Sequence, residues 1–356
     1  MKIAIIGAGA IGGLVGAKLA LAGNEVTFMV RGANLQAIRR DGIRLISADG
    51  TEQATQVGAT NDYAEAGQQD LVILAMKAHQ VEAIVDDLPA LLGPQTPVVT
   101  MQNGIPFWYF HRHGGPLEGK AVKSVDAGCS LAQKIGAERI IGCVVYPASE
   151  LMAPGVVRHI EGDRFPLGEL DGSSSERVIR ISECFTQAGF KAPVLDKIRC
   201  EIWLKLWGNL TFNPISCLTH STLADICQYP LSRELAANMM GEAQTVAEKL
   251  GIAFRTTLDK RIAGAEKVGH HKTSMLQDIE AGRAPEIDAL VGAVAELGRL
   301  TGTPTPHINA VYALVKLLVR AMEAGKGRLR LEACAVEPTR ANQMAIREAG
   351  GLAHAA

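Results

Sequence analysis

Close to its amino terminus the chain reads Gly7-Ala8-Gly9-Ala10-Ile11-Gly12, a G-x-G-x-x-G spacing set between an apolar run, Lys2–Ile6, and a helical pattern over 12–22. Few short sequences restrict a fold more. Gly7 permits a tight turn, Gly9 lets the backbone approach a pyrophosphate, and Gly12 lets a helix pack closely on a strand. With a second strand at 25–30, the context predicts a β-α-β unit. Its helix amino terminus, carrying the amides of Ala8, Ala10 and Ile11, would cradle a dinucleotide. Met1-Lys2 and the apolar stretch 3–15 imitate a secretory signal, but these glycines would weaken a signal helix and sit where a phosphate-binding turn needs them.

The alternation continues. A short helix is predicted at 36–40, buried strands at 70–75 and 98–101, and between these a helix over 81–92 stopped by Gly93-Pro94. Apolar strands joined by helices imply a parallel sheet covered on both faces. Segments 140–146 and 156–160 read as an antiparallel pair closing that domain. From Asp196 onward strand signals vanish, and helices are expected at 197–212, 232–250, 257–268, 275–281, 287–301 and 307–324. The fold class is therefore α/β plus all-α: a Rossmann-type domain over 1–195, a helical substrate and catalytic domain over 196–330, and a carboxy-terminal tail over 331–356. Within that tail, 349–356 is expected to fray.

Composition narrows the partners. With 356 residues, 36 Lys and Arg against 37 Asp and Glu, and a net charge of −1, no global field draws the chain to nucleic acid or anionic membrane. Its longest apolar runs fall short of the ~18 residues a membrane span needs. Seven cysteines (129, 143, 184, 200, 217, 227, 334) with no C-x-x-C pair suit a reducing cytoplasm better than a disulfide framework or a zinc ribbon. His111-x-His113 and His270-His271 lack a carboxylate or cysteine at ligand spacing, so no metal is expected.

The second strand sets the cofactor. It ends Phe28-Met29-Val30-Arg31-Gly32, without the carboxylate that would bond a ribose 2′-hydroxyl. Arg31 can instead grip a 2′-phosphate with its guanidinium fork, which predicts NADP(H). Two later strand ends, carrying Lys77 and Asn103, fall where such sheets bind ligands; each would also serve as an ordinary turn residue.

Residues 202–214 are mostly large and apolar, yet Lys205, Asn209 and Asn213 recur at i, i+4, i+8. At about 100° per residue they lie within an arc of roughly 80° on one helical face. A lysine among apolar bulk needs a partner or a lowered pKa, the usual condition of a proton donor, and two carboxamides beside it can orient an oxo acid. The plainer account has Lys205 snorkelling to water and Asn213 ending the helix before Pro214. Ser274 reads as a helix N-cap, and Glu286, after Pro285, as an acid in a first helical turn. Their residues alone do not say whether either faces a cleft.

The ordered set KIAIIGAGAIG, MKAHQ, MQNG, WLKLWGNLTFNP, SMLQD and PEID resembles the ketopantoate reductase (2-dehydropantoate 2-reductase) family from Met1 to about Ala324. The resemblance implies a Rossmann-type domain followed by a helical one, a cleft between them, and NADPH-dependent reduction of a 2-oxo acid to the 2-hydroxy acid. It also implies roles: Lys205 as general acid, Glu286 as an acid touching cofactor and substrate, Lys77 as a cofactor-side lysine. Asn103, Asn209, Asn213 and Ser274 would be substrate-binding groups. Two departures stand out. Leu223 occupies a position where some members carry a substrate asparagine, and an aromatic and histidine-rich insertion at 105–120 follows MQNG. That insertion would line the pocket for a larger carbonyl compound, act as a lid, or form a homodimer contact. The apolar helices of the second domain read as core or dimer interface. An opine or imine dehydrogenase and a non-catalytic NADP(H) sensor are the competing readings.

Overall fold

The structure, a computed structural model, describes residues 1–332; the expected frayed end lies outside the described residues. The amino-terminal part runs β1 (Lys2–Ile6), α1 (Ala10–Leu21), β2 (Glu25–Met29), α2 (Gly32–Asp41), β3 (Ile43–Ile46), β4 (Glu52–Thr55), β5 (Gly58–Thr60), α3 (Tyr63–Ala66), β6 (Leu71–Leu74), β7 (Val98–Thr100), α4 (Leu131–Ile135), β8 (Ile140–Cys143), β9 (Ala148–Ala153), β10 (Val156–Glu161), β11 (Leu167–Glu169) and α5 (Glu176–Gln187). Helices follow: α6 (Ile198–Thr219), α7 (Leu223–Gln228), α8 (Pro230–Lys249), α9 (Leu258–Val268), α10 (Ser274–Glu280), α11 (Ala293–Leu300) and α12 (Pro306–Ala324).

The main sheet has the order β11-β8-β7-β6-β1-β2-β5. Every neighbouring pair is parallel except β8 with β11. Its central strands are continuous apolar runs buried on both faces, as a doubly wound sheet requires. Their carboxyl ends converge on one edge, where Gly7, Ala75, Gln102 and Val144 leave the sheet; ligands of such sheets bind there.

A second sheet, β4-β3-β10-β9, differs from expectation. The segments near 140 and 156 do not pair with each other. β8 joins the main sheet, whereas β10 pairs with β9 and, in parallel, with β3. The intervening β9, ASELMA, is poor in β-branched residues and largely exposed, so it carries no strand signal. This small sheet covers the outer side of α1, where a Cβ at Gly13 would stand 2.4 Å from the Val157 side chain. α1 is thereby buried over most of its surface.

A second correction concerns 81–92. Instead of an α-helix, the chain steps through i→i+3 bonds, Ile84 to Val81, Asp87 to Ile84 and Ala90 to Asp87. Pro89 lacks the N–H an α-helix would use, and Val81, Ile84 and Val85 are β-branched, so tighter turns win. The helix α5, capped by Ser175, had no counterpart in the sequence reading.

α6 is the central helix of the second half and does not stop at Pro214 but continues to Thr219. Trp203, Trp207, Leu210 and Phe212 bury it from several sides, and Trp207 donates to the Met240 carbonyl at 2.8 Å. Tertiary packing thus overrides the proline's lost hydrogen bond. The aromatic insertion is core. Ile105, Tyr109 and Phe110 enter the helical core while Phe107 and Trp108 pack on the sheet side. Trp203 donates to the Tyr109 hydroxyl at 2.7 Å, and Trp108 to Thr100 Oγ1 at 2.9 Å. No helix of the described residues is long and apolar enough to cross a membrane.

Candidate active site

The glycine turn leaves β1 with Gly7 at φ +101°, where an L side chain would be strained, and a Cβ at Gly12 would fall 1.9 Å from the Gly7 carbonyl oxygen. A Cβ at Gly9 would meet nothing within 4 Å: its side faces open space. Gly9 is the extended N-cap of α1 and offers no side chain to the first helical amides. Free N–H groups at the positive end of a helix, beside a glycine open to approach, are the donor set a pyrophosphate takes. These residues fit a dinucleotide. Arg31 follows at the end of β2, exposed at the start of α2. Asn34 fastens the turn, donating to the Ala8 carbonyl at 3.1 Å and accepting from Gly155 N–H at 3.0 Å.

Across the cleft, α6 presents Lys205 to the strand ends. Its ammonium donates to Asn103 Oδ1 at 2.6 Å and to the Val145 carbonyl. Asn103 in turn donates to Glu286 Oε2 at 3.1 Å, and Glu286 Oε1 accepts from the Ala78 amide at 3.2 Å. A continuous polar chain therefore runs Lys205–Asn103–Glu286–Ala78 between the two halves. Burial pushes the Lys205 pKa down to about 8, and the Glu286 charge opposes that shift. Such an amine is mostly protonated at neutral pH yet gives up its proton more readily than a solvated lysine. Thr100, Asn103, Trp108, Val145, Lys205 and Asn209 line the pocket at this point.

The stripe splits in its surroundings. Asn209 lines the pocket beside Lys205, whereas Asn213 is buried and donates to Ser274 Oγ at 3.4 Å. Ser274 is not the N-cap of α10. Thr273 is, its hydroxyl accepting from Leu276 N–H at 3.3 Å, while Ser274 is exposed and its hydroxyl accepts from Asn213. Glu286 precedes a π-helical turn at Asp288–Gly292, a distortion common at functional sites. Lys77 reaches over to the helical side, donating to Asp278 Oδ2 and to the Ala284 carbonyl, each at 2.7 Å. Arg31 stands apart, at the end of β2.

Three participants escaped the sequence reading. The Val145 carbonyl is main chain and leaves no residue signature. Asp278 sits one helical turn after Ser274, a spacing that puts both on one face. Tyr146, whose ring centre lies 6.0 Å from the Lys205 ammonium, follows a strand end as Lys77 and Asn103 do. The histidine pairs take no part: His113 packs on the Tyr109 and Phe110 rings, and His270 lies near Thr222.

Known proteins place these features in context. A family model described as ketopantoate reductase PanE/ApbA matches residues 3–172, and its carboxy-terminal counterpart matches 197–319. A 2-dehydropantoate 2-reductase of Mesorhizobium japonicum is 56% identical over 326 residues, 91% of this chain and 99% of the relative. The crystal structure of a candidate ketopantoate reductase from Ralstonia solanacearum superposes with a TM-score of 0.86 at 40% identity, covering 90% of this chain and 98% of that one. A ternary structure of D-mandelate dehydrogenase with NADH and anilino(oxo)acetate superposes with a TM-score of 0.77 at 25% identity, covering 91% and 99%.

Proposed function

This chain belongs to the ketopantoate reductase family, and on that premise we propose that it reduces ketopantoate or a close 2-oxo acid to the 2-hydroxy acid, with Lys205 as proton donor. The coarser statement needs no proposal: the protein is an NADP-dependent oxidoreductase. We read 1–195 as the cofactor-binding part, 196–330 as the substrate and catalytic part, and the cytoplasm as the working compartment.

The observation that carries the reading is the chain Lys205–Asn103–Glu286 at the ends of the parallel strands. Gly7, Gly9, Gly12 and Arg31 would hold the dinucleotide, which when bound supplies a hydride to a carbonyl carbon. Charge then develops on the carbonyl oxygen. Lys205, as ammonium, stabilises that charge and passes a proton to the forming alkoxide, a contribution of typically about 10²–10⁴-fold. Asn103 aims the ammonium, and Glu286 holds Asn103. Asn209, Asn213 and Ser274 would fix the carboxylate and distal hydroxyl of the substrate. Lys205→Ala is expected to fold and bind NADPH with kcat reduced at least about a hundredfold; near-normal turnover in that variant would end the assignment.

Trp108 in the pocket wall favours a second reading at the level of substrate, an aryl 2-oxo acid like the ligand of the D-mandelate dehydrogenase. Rates of NADPH oxidation with ketopantoate and with benzoylformate separate the two.

A further inference from the structure

One helical turn before Lys205, Glu201 is a buried carboxylate on α6, 3% exposed. It accepts from the Tyr146 hydroxyl at 2.7 Å, from Arg255 at 2.7 Å and from Arg164. Tyr146 directly follows Val145, whose carbonyl accepts from the Lys205 ammonium. Two rungs one turn apart therefore join α6 to a single dipeptide: Lys205 to the Val145 carbonyl, and Glu201 to the Tyr146 phenol. Arg164 braces the same dipeptide from behind. Its carbonyl accepts from Tyr146 N–H at 3.2 Å and its guanidinium lies 5.2 Å from the Tyr146 ring centre.

We infer that Glu201 and Tyr146 are positioning residues, which set the Val145 carbonyl against Lys205 and so hold the proton donor on its charged, forward-pointing rotamer. This rests on the reading of Lys205 as the acid but depends on a separate set of bonds. The reasons are geometric and chemical. A carboxylate is costly to bury, and here three donors satisfy it. Arg164 and Arg255 keep it ionised against the opposing effect of burial. Burial likewise keeps the Tyr146 phenol protonated, since its pKa is raised. Tyr146 is therefore a donor that cannot switch at working pH, bonded to an acceptor that cannot switch either. A fixed rung is what holding a carbonyl requires. Hydrogen bonds to an ammonium favour its charged form, so loosening the Val145 carbonyl must lower the pKa of Lys205. Besides the Tyr146 ring itself, 6.0 Å away and kept in Tyr146→Phe, the groups facing that ammonium are Glu286, Asn103 and the Cys143 thiol, and none of these three touches Glu201.

The test reads Lys205 directly. The full-length protein without cofactor is titrated by following the ¹³Cε resonance of Lys205, assigned with Lys205→Ala, in wild type, Tyr146→Phe and Glu201→Gln. Both variants are expected to lower the midpoint by about half a unit or more. In the NADPH-dependent assay the basic limb of kcat is expected to move with it, kcat to fall about tenfold or more, and KM for NADPH to stay within about twofold of wild type. A midpoint unmoved in Tyr146→Phe, with only the melting temperature lowered, overturns the inference. If Glu201→Gln does not fold, Tyr146→Phe still decides. Normal turnover in Lys205→Ala would remove the acid assignment, while the resonance titration would still decide what holds the amine.

Discussion

A lysine with a pKa near 8 gives the enzyme a pH dependence with a definite sign. With Lys205 as the proposed donor in reduction, the donor is intact below about 8 and is lost as pH rises through that value. Under saturating NADPH, kcat is expected to be level between pH 6 and about 7.5 and to fall roughly tenfold per unit above about 8.5. A limb near the free-lysine value of 10.5 would mean that the amine is solvated during turnover. Arg31 carries a different test. Its guanidinium stands exposed just beyond β2 (Glu25–Met29), at the N-cap position of α2. Arg31→Ala is expected to raise KM for NADPH about tenfold or more while leaving KM for NADH nearly unchanged. Initial-rate kinetics with both nucleotides measure the ratio, and equal effects would sever Arg31 from the 2′-phosphate.

Among the elements, capping separates stability from binding. Thr273 holds the amino end of α10 and Ser274 does not, so the two neighbours should answer differently to the same substitution. Thr273→Ala is expected to cost about 1 kcal/mol of stability. Ser274→Ala is expected to leave stability within about 0.5 kcal/mol and to raise KM for the oxo acid; urea denaturation beside steady-state kinetics distinguishes them. The same pair shows why some of the molecule was legible and some was not. Sequence gives a hydroxyl ahead of an apolar helix, but two adjacent hydroxyls, Thr273 and Ser274, leave the start undecided by one residue. β1, β2, β6 and β7 could be read because buried parallel strands are apolar over most of their length. β3, β4 and β9 could not, being short and half exposed; β10 was legible as a strand, but its partners, β9 and the distant β3, were not. The Lys205–Asn209–Asn213 stripe was legible because helical periodicity is local. What Lys205 bonds to, a carbonyl on β8's extension, was not, since every residue has a carbonyl.

For the whole molecule, the two halves meet through many specific bonds, and several of them lie at the cleft. Lys77 grips Asp278 and the Ala284 carbonyl, Glu286 takes the Ala78 amide, and Ile105 N–H donates to the Ala289 carbonyl at 2.9 Å. The Lys77 contact closes the edge of the cleft beside the strand ends. Lys77→Ala is therefore expected to speed NADPH dissociation about tenfold, seen in stopped-flow nucleotide fluorescence. It should cost no more than about 1 kcal/mol of stability, because the pair keeps contact with water. An unchanged off-rate would show that the contact does not gate the nucleotide. The rings at 107–110 bind the halves in another way. They belong by connectivity to the sheet, yet Tyr109 and Phe110 are sheltered by α6 and its neighbours. Cutting the polypeptide near 195 would strand those rings in water and hollow out the other fragment. Neither piece can then be borrowed alone, by an engineer or by gene fusion, without a substitute to fill the gap.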